Sequence, residues 1–260
     1  MTTTVNRPEP APIGEGVEIP ASAKRRRNFL LLAMLIGLAI LARLTNLDGR
    51  LVDLDAWRQT DTASIARLFV SEPNIFYPRI YWGAPGPGYV EAEFQLYPYL
   101  VSLAYRAFGE NALYGRLLSI GLCMLSSLIF YRIARRYLDF WPAYVSVSFF
   151  LFAPIVFRYS RQFMPEASML LFYLLALERF LVFLDTGRWR TILAAGVAMS
   201  LAILIKPTSI HIGFALMGLS FLRCGRYFWA KPKLIAFAII SLVPPTLYYL
   251  HAMNIYFTYG

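Results

Sequence analysis

The sequence has few residues of the kinds that build metal centres and disulfides. It contains two histidines and two cysteines in 260 residues. Cys123 lies inside an apolar run and Cys224 beside a basic segment, so we expect no disulfide. Neither His211 nor His251 has a cysteine nearby, and we predict no zinc site built by the protein. A divalent cation as a cofactor remains open.

Charged residues are scarce as well, and this places the chain in a membrane. They make up 15% of the sequence and hydrophobic residues 58%, against about 25% and about 45–50% in soluble domains. The composition predicts an all-α fold, a polytopic transmembrane helical bundle. The net charge is +10, which we attribute to Lys and Arg in cytoplasmic loops and not to a nucleic-acid partner.

The signatures of soluble enzymes are absent too. The chain has no phosphate-binding glycine loop, no HExxH motif and no serine nucleophile elbow. The glycines of GAPGPG open no helix, so they do not form a nucleotide cradle. A substrate must therefore arrive in the membrane itself.

Seven apolar runs are candidate membrane spans, although several are shorter than the ~20 residues that a straight span prefers. The runs are 28–44, 112–131, 142–157, 167–184, 191–205, 210–222 and 234–250. Basic clusters such as KRRR occupy every second connection, which places those connections in the cytoplasm. We expect a multi-pass protein of the plasma (inner) membrane, with a cytoplasmic N-terminus and an extracytoplasmic active side.

The chain divides into a tail and a membrane module. Residues 1–27 are rich in Pro, Thr and Gly and end in KRRR, which predicts a disordered cytoplasmic tail with a basic anchor. Residues 28–260 are the transmembrane module, and its first outer loop covers about 45–111. In that loop TDTASIARLF predicts an amphipathic interfacial helix. YPRIYWGAPGPGYVEAEFQLYPY predicts an irregular, aromatic-rich segment.

Two aspartates of DLDAWRQTDTASIARLF are the first candidates for catalysis. At the mouth of an apolar bundle, Asp55 or Asp61 would be partly desolvated, which suits a general base. In one continuous helix they would lie about 240° apart, so both face one site only if the helix begins after Asp55. The alternatives are structural: Asp53 or Asp55 caps the helix, and Asp61 pairs with Arg58.

Other ionisable residues are predicted on the same outer side. In an extended segment the two carboxylates of EAEF point to the same side, where they could share a site. The alternative is that they are a solvated pair without a function. Outward-facing arginines oppose the positive-inside bias, so they need a carboxylate partner or an anionic ligand. A lysine at the end of a span is likewise a functional candidate. These residues are Glu91, Glu93, Arg158, Arg161, Glu166 and Lys206.

The placement of these charges predicts a shared cavity. The aspartate-rich stretch and the RYSRQFMPE turn emerge on one side, and their charges are complementary. We therefore expect the loop carboxylates and Glu93 to meet Arg158 and Arg161 of the turn. Trp57 is expected at the depth of the lipid headgroups.

Several segments resemble a known family. WRQTDTASIAR, NIFYPRIYWG and GYVEAEFQLYPYLVSLAYRAFG resemble bacterial members of the protein O-mannosyltransferase-like family (family 39) of GT-C glycosyltransferases. The chain is similar, more distantly, to the aminoarabinose transferases that modify lipid A. MPEASMLLF resembles the family's MPD turn, with Glu166 in place of Asp. The resemblance covers Asn28 to Leu250, the N-terminal part of such enzymes.

The resemblance implies an integral membrane glycosyltransferase. It would move a sugar from a polyprenyl-phosphate-linked donor to a hydroxyl of a lipid, glycan or protein, with inversion. The catalytic role falls on Asp61 or Asp55, and Glu93 matches a further acidic residue of the loop. The predicted substrate-binding residues are Arg58, Gln59, Glu91, Tyr97, Arg158, Arg161, Glu166 and Lys206.

Other interpretations of the sequence remain. Family members usually carry more spans and often a soluble C-terminal domain, so this chain is alternatively a truncated fragment, or needs a second chain that supplies missing spans. A non-catalytic partner or flippase-like component would bind the lipid phosphate through the arginines and would not need the aspartates. A transporter is disfavoured, since the middles of the spans hold almost no ionisable residues.

Overall fold

The chain folds into helices. A computed structural model describes residues 20–259, except 46, 48–50, 52–54, 82–86 and 91–92. Over these residues it contains ten α-helices and two short 3₁₀ helices, and no strand beyond an isolated bridge between Arg79 and Tyr89. The predicted all-α class is confirmed.

The ten helices are α1 Ala21–Arg43, α2 Ala56–Ser71, α3 Leu96–Phe108, α4 Leu113–Tyr137, α5 Phe140–Phe152, α6 Pro154–Tyr159, α7 Glu166–Thr186, α8 Trp189–Ile205, α9 Ile212–Cys224 and α10 Pro232–Tyr259. The connections between the ten helices are short from α3 onward, and longer on either side of α2. The 3₁₀ helices are Pro207–His211 and Phe228–Ala230. Each of the seven apolar runs falls on a helix. One run is broken in two, because Pro154 forces extended backbone at Ala153 and starts α6.

Three helices, α4, α7 and α10, are long and apolar enough to cross a membrane. The helices α5 and α8 are apolar but shorter. The chain is therefore a helical membrane protein, while the number of seven spans and their orientation remain predictions.

The first helix begins earlier than the apolar run that predicted it. It starts at Ala21, so the KRRR cluster belongs to α1 and not to a disordered tail. Ala, Lys and Arg are strong helix formers, and they extend the helix beyond its apolar part. The predicted disorder of residues 1–19 falls outside the described residues.

Helix α7 is central to the bundle. It packs along α8 and against α4, and α8 packs in turn against α10. The core between α7 and α8 includes Ala176, Phe180, Ile192 and Met199, all buried. We name the two ends of the bundle by these helices. At the cavity end α7 begins and α8 ends. At the basic end α7 ends and α8 begins.

The long loop contributes two helices that pack against each other, α2 and α3. The predicted apolar face of α2 is confirmed, because Ile65 and Phe69 are buried and Leu68 is half-buried. The irregular segment predicted for this loop ends earlier than expected, since α3 already begins at Leu96. Pro98 does not prevent this, because the N–H groups of a first helical turn have no partner within the helix.

Helix α3 meets α4 at a glycine. The Tyr97 hydroxyl donates to the Gly115 carbonyl oxygen at 2.7 Å and lies 2.9 Å from the Ser119 hydroxyl. Burial raises the pKa of the Tyr97 phenol, so it keeps its proton and remains a donor. A Cβ added at Gly115 would lie 2.3 Å from the ring of Phe163, which is itself completely buried. Only glycine fits at this contact.

Gly115→Ala is therefore expected to destabilise the protein by about 1–3 kcal/mol, because the Phe163 ring has no space to move into. Thermal unfolding of the detergent-solubilised protein measures the effect. Gly121→Ala is the matched control, since nothing lies within 4 Å of a Cβ at that position of the same helix. A helix interior favours alanine by about 1 kcal/mol, so the control should be at least as stable as wild type. If Gly115→Ala and Gly121→Ala unfolded at the same temperature, the close contact between position 115 and the Phe163 ring would be contradicted.

Candidate active site

A cavity of about 470 Å³ opens at the cavity end of the bundle. Its polar lining comes from separate segments and consists of Asp55, Arg58, Ser160, Glu166 and Lys206. The remaining lining is Trp57, Cys123, Ile155, Val156, Tyr159, Met164, Ala167, Met169 and Leu170. Cys123 lies ten residues into α4, about 15 Å along its axis, so the cavity extends into the apolar bundle.

Asp55 occupies the position just before α2. Its φ of 66° and ψ of 28° are left-handed, and no side-chain bond caps the helix. Its Oδ2 instead accepts from Arg158 Nη2 at 2.8 Å. A non-glycine residue in this conformation typically costs about 1–3 kcal/mol, and such strain concentrates at functional sites. Because α2 begins at Ala56, Asp55 is free of the helical spacing that separates it from Asp61.

Glu166 begins α7 and joins two cations. Its Oε1 accepts from Lys206 Nζ at 2.9 Å and lies 3.9 Å from Arg58 Nη2. Its Oε2 is buried and has no hydrogen-bond partner among the described residues. Arg58 also forms an ion pair with Glu93, and the distance from Arg58 Nη2 to Glu93 Oε2 is 3.1 Å. Glu93 thus belongs to the charge network although it does not line the cavity.

The charges of this network balance. Three carboxylates meet three cations, in the pairs Asp55–Arg158, Glu166–Lys206 and Glu93–Arg58. The expected meeting of the loop carboxylates with the turn is confirmed for Asp55 and Arg158. An anionic ligand entering the cavity would compete with carboxylates for cations that are already in place.

The other predicted site residues lie outside the cavity. Asp61 is half-buried on α2 and does not line it. Gln59 and Tyr97 are completely buried, and Gln59 Oε1 accepts from the Phe163 backbone N–H at 3.1 Å. Arg161 donates to the Thr45 carbonyl oxygen instead of a carboxylate. Two further candidates, Glu91 and Asp53, fall outside the described residues.

Among the residues that the structure describes, no three His, Cys, Asp or Glu side chains are grouped so that they could hold a metal ion. Three cationic side chains, Arg58, Arg158 and Lys206, lie at or beside the cavity wall, where an anion such as a phosphate would meet them. The cavity also offers carboxylates that can accept a proton, Asp55 and Glu166.

The sequence interpretation missed Arg43, the last residue of α1. Its side chain is completely buried, and its Nε donates to Ser160 Oγ at 2.7 Å. Its Nη1 and Nη2 donate to the carbonyl oxygens of Ala39 at 3.0 Å and Leu151 at 2.5 Å. The Leu151 carbonyl lies in the last turn of α5, where carbonyls lack helical partners. An ionisable residue at the end of an apolar run is a functional candidate by default, and this signal would have found it.

Arg43→Met is expected to lower the free energy of unfolding by about 1–3 kcal/mol, because buried acceptors lose their donor. Thermal unfolding in detergent measures this. Arg223→Met provides the control, since Arg223 is exposed at the basic end and its loss should change stability little. A wild-type unfolding temperature for Arg43→Met would show that these hydrogen bonds contribute nothing to stability.

Comparison with known proteins places the chain in a family. The family described as dolichyl-phosphate-mannose-protein mannosyltransferase matches residues 95–249, more than half of the chain. The match includes Arg158, Glu166 and Lys206, and it begins after Asp55 and Glu93. No curated protein matches the chain. The chain thus belongs to the dolichyl-phosphate-mannose-protein mannosyltransferase family, whose members are membrane glycosyltransferases of the GT-C type.

Proposed function

We propose that the protein transfers a sugar from a polyprenyl-phosphate-linked donor to an acceptor hydroxyl on the extracytoplasmic side of the plasma (inner) membrane. The cavity carries this proposal, because it combines apolar walls with Arg58, Glu166, Lys206 and Asp55. Such a donor has an apolar chain and an anionic phosphate, and the lining suits both parts. A membrane-borne donor also agrees with the described part of the chain, which is helical and contains no nucleotide-binding fold.

The charge distribution supports this orientation. The cavity end lies opposite Arg188 and Arg190, at and just after the connection from α7 to α8, and opposite Arg226 and Lys231, in the connection after α9. Basic connections are retained in the cytoplasm, so the cavity would face the other side.

Asp55 is the better candidate for the general base. It lines the cavity, whereas Asp61 does not. In the proposed step the acceptor oxygen forms a bond to the anomeric carbon while Asp55 takes the hydroxyl proton. The bond between the anomeric carbon and the phosphate oxygen breaks, and the lipid phosphate leaves with the electron pair. Attack on the face opposite to the leaving phosphate inverts the anomeric centre.

The cations would hold the leaving phosphate. Lys206, Arg58 and Arg158 are each paired with a carboxylate, at 2.9, 3.1 and 2.8 Å. A donor phosphate that attracts Arg158 would release Asp55 from its ion pair. Donor binding would then prepare the base and also stabilise negative charge on the phosphate as it leaves.

The experiment is sugar transfer by membranes that contain the intact protein. Polyprenyl-phosphate donors with a radiolabelled sugar are supplied, and label is followed into acceptor material while free polyprenyl phosphate is quantified. Equal amounts of transferred sugar and released lipid phosphate are expected. Membranes that bind the donors but transfer no sugar from any of them would overturn the proposal.

A non-catalytic lipid-phosphate-binding component is the second candidate. The observation that favours it is that the cavity carboxylates already accept from cations, which a purely structural network would also show. It predicts that wild-type protein binds polyprenyl phosphate, that Asp55→Asn binds it equally well, and that neither transfers sugar.

A further inference from the structure

A second polar cavity lies at the opposite, basic end of the bundle. Its volume is about 440 Å³, and it is lined by Gly187, Arg188, Trp189, Arg190 and Lys233. These residues belong to the connection between α7 and α8, to the first turn of α8 and to the first turn of α10. Among the described residues, the lining thus contains three cations and no carboxylate.

Among the residues that the structure describes, no carboxylate forms an ion pair with Arg188, Arg190 or Lys233. The nearest acidic residue in the sequence is Asp185, which forms an ion pair with Arg136. Lys233 donates to the Gly187 carbonyl oxygen at 2.6 Å, and its Nζ lies 5.6 Å from the centre of the Trp189 ring. Neither contact supplies a negative charge, so an anion would complete the cavity.

An apolar groove begins next to this cavity. Its volume is about 560 Å³, and α9 and α10 form its longer walls. Lys233 lines the basic cavity, and its neighbours Leu234 and Ile235 line the groove. The basic cavity and the groove therefore border the same turn of α10. Ser241, two turns farther along, is buried in the groove wall, and its hydroxyl has no hydrogen-bond partner among the described residues.

We infer that the basic cavity and the groove together bind one anionic glycerophospholipid from the leaflet at the basic end. The phosphate would be held by Arg188, Arg190 and Lys233, and an acyl chain would fill the groove. The Ser241 hydroxyl could donate to an ester carbonyl. Half-exposed Trp189 lines the cavity, as expected at headgroup depth. Charge complementarity selects the acidic headgroup, because a zwitterionic lipid brings no net charge to the three cations.

Native mass spectrometry of the full chain tests this inference. The protein is purified in neutral detergent and mixed with equal amounts of phosphatidylglycerol and phosphatidylcholine. Wild type is expected to retain phosphatidylglycerol in preference. Each basic residue near an anionic surface contributes about fivefold to binding, so the triple variant Arg188→Gln, Arg190→Gln, Lys233→Gln should lose the preference. If that variant aggregates, Arg188→Gln alone should weaken retention about fivefold.

The matched control removes the same charge from the same end. Arg223→Gln, Arg226→Gln, Lys231→Gln alters three exposed cations that line neither cavity, and it should retain phosphatidylglycerol as wild type does. Equal loss in both triple variants would indicate general electrostatic attraction and overturn the inference. Equal retention of the two lipids by wild type would overturn it too.

The groove has its own test. A Cβ at Gly213, in the groove wall, meets nothing within 4 Å, so Gly213→Phe should fold and fill the groove. Retention of phosphatidylglycerol should then fall. Unchanged retention would remove the groove from the site. Displacement of the bound phosphatidylglycerol by polyprenyl phosphate would overturn the inference, because the site would then accept the sugar donor's lipid.

Discussion

Asp55→Asn is expected to lower the rate of sugar transfer by about 10²–10⁴-fold, the contribution of a positioned general base. The amide keeps the shape of the side chain and the start of α2 but cannot take the acceptor proton. The rate is measured with saturating polyprenyl-phosphate sugar in membranes that contain equal amounts of protein. Binding of polyprenyl phosphate should be unchanged or tighter, because Arg158 loses its carboxylate partner at 2.8 Å.

Asp61→Asn is the matched control for this variant. Asp61 lies within α2, the helix that Asp55 precedes, and is the same residue type, but it does not line the cavity. Its rate should stay within a few-fold of wild type. Loss of transfer in Asp61→Asn alone would move the base to that residue. Wild-type rates from both variants would remove the first-loop aspartates from the chemistry.

Lys206→Gln is expected to slow transfer by about 10²–10³-fold, because a cation aimed at the leaving phosphate is lost from the transition state. It should also weaken inhibition by the product polyprenyl phosphate, an effect that loss of the base alone would not produce. Initial rates with increasing polyprenyl phosphate give both quantities. Lys231→Gln, at the basic end and exposed, is the control and should change neither.

Glu166→Gln is expected to change the binding of polyprenyl phosphate in the direction opposite to Lys206→Gln, and the same assay measures both variants. Glu166 competes with any incoming phosphate for Lys206 and Arg58, at 2.9 and 3.9 Å. Without its charge, polyprenyl phosphate should bind more tightly. Weaker binding in this variant, or unchanged product inhibition in Lys206→Gln, would show that this cluster does not receive the phosphate.

The sequence predicted the helices well, because length and hydropathy are local properties of the chain. Every apolar run is helical, although one is divided between α5 and α6, and Ile65 and Phe69 face the core as the amphipathic pattern indicates. The sequence also predicted that Asp55, Arg158, Glu166 and Lys206 lie at one end of the bundle, since basic clusters occupy the alternate connections. Helix α3 was not predicted, because its first turn contains Pro98 and lies in a segment rich in Pro, Gly and Tyr, which indicates an irregular loop.

The pairs within the site depend on contacts between distant segments. Asp55 and Arg158 are 103 residues apart, and Glu166 and Lys206 are 40 apart. When a helix is apolar around most of its circumference, its sequence does not indicate which face packs against which neighbouring helix. The sequence therefore predicted that loop carboxylates would meet the arginines of the turn, but not which of them would pair, and it did not predict the pair between Glu166 and Lys206.

The sequence by itself determined the class of this protein, a helical membrane protein, and the approximate position of its helices, because these follow from composition and from runs of apolar residues. The tertiary structure decided which residues share the cavity. It gave Asp55 a place in the wall and left Asp61 outside, buried Gln59 and Tyr97 in the core, and connected Arg43 to the cavity through Ser160. These outcomes depend on helix packing and on one left-handed residue, and neither is encoded in a local pattern.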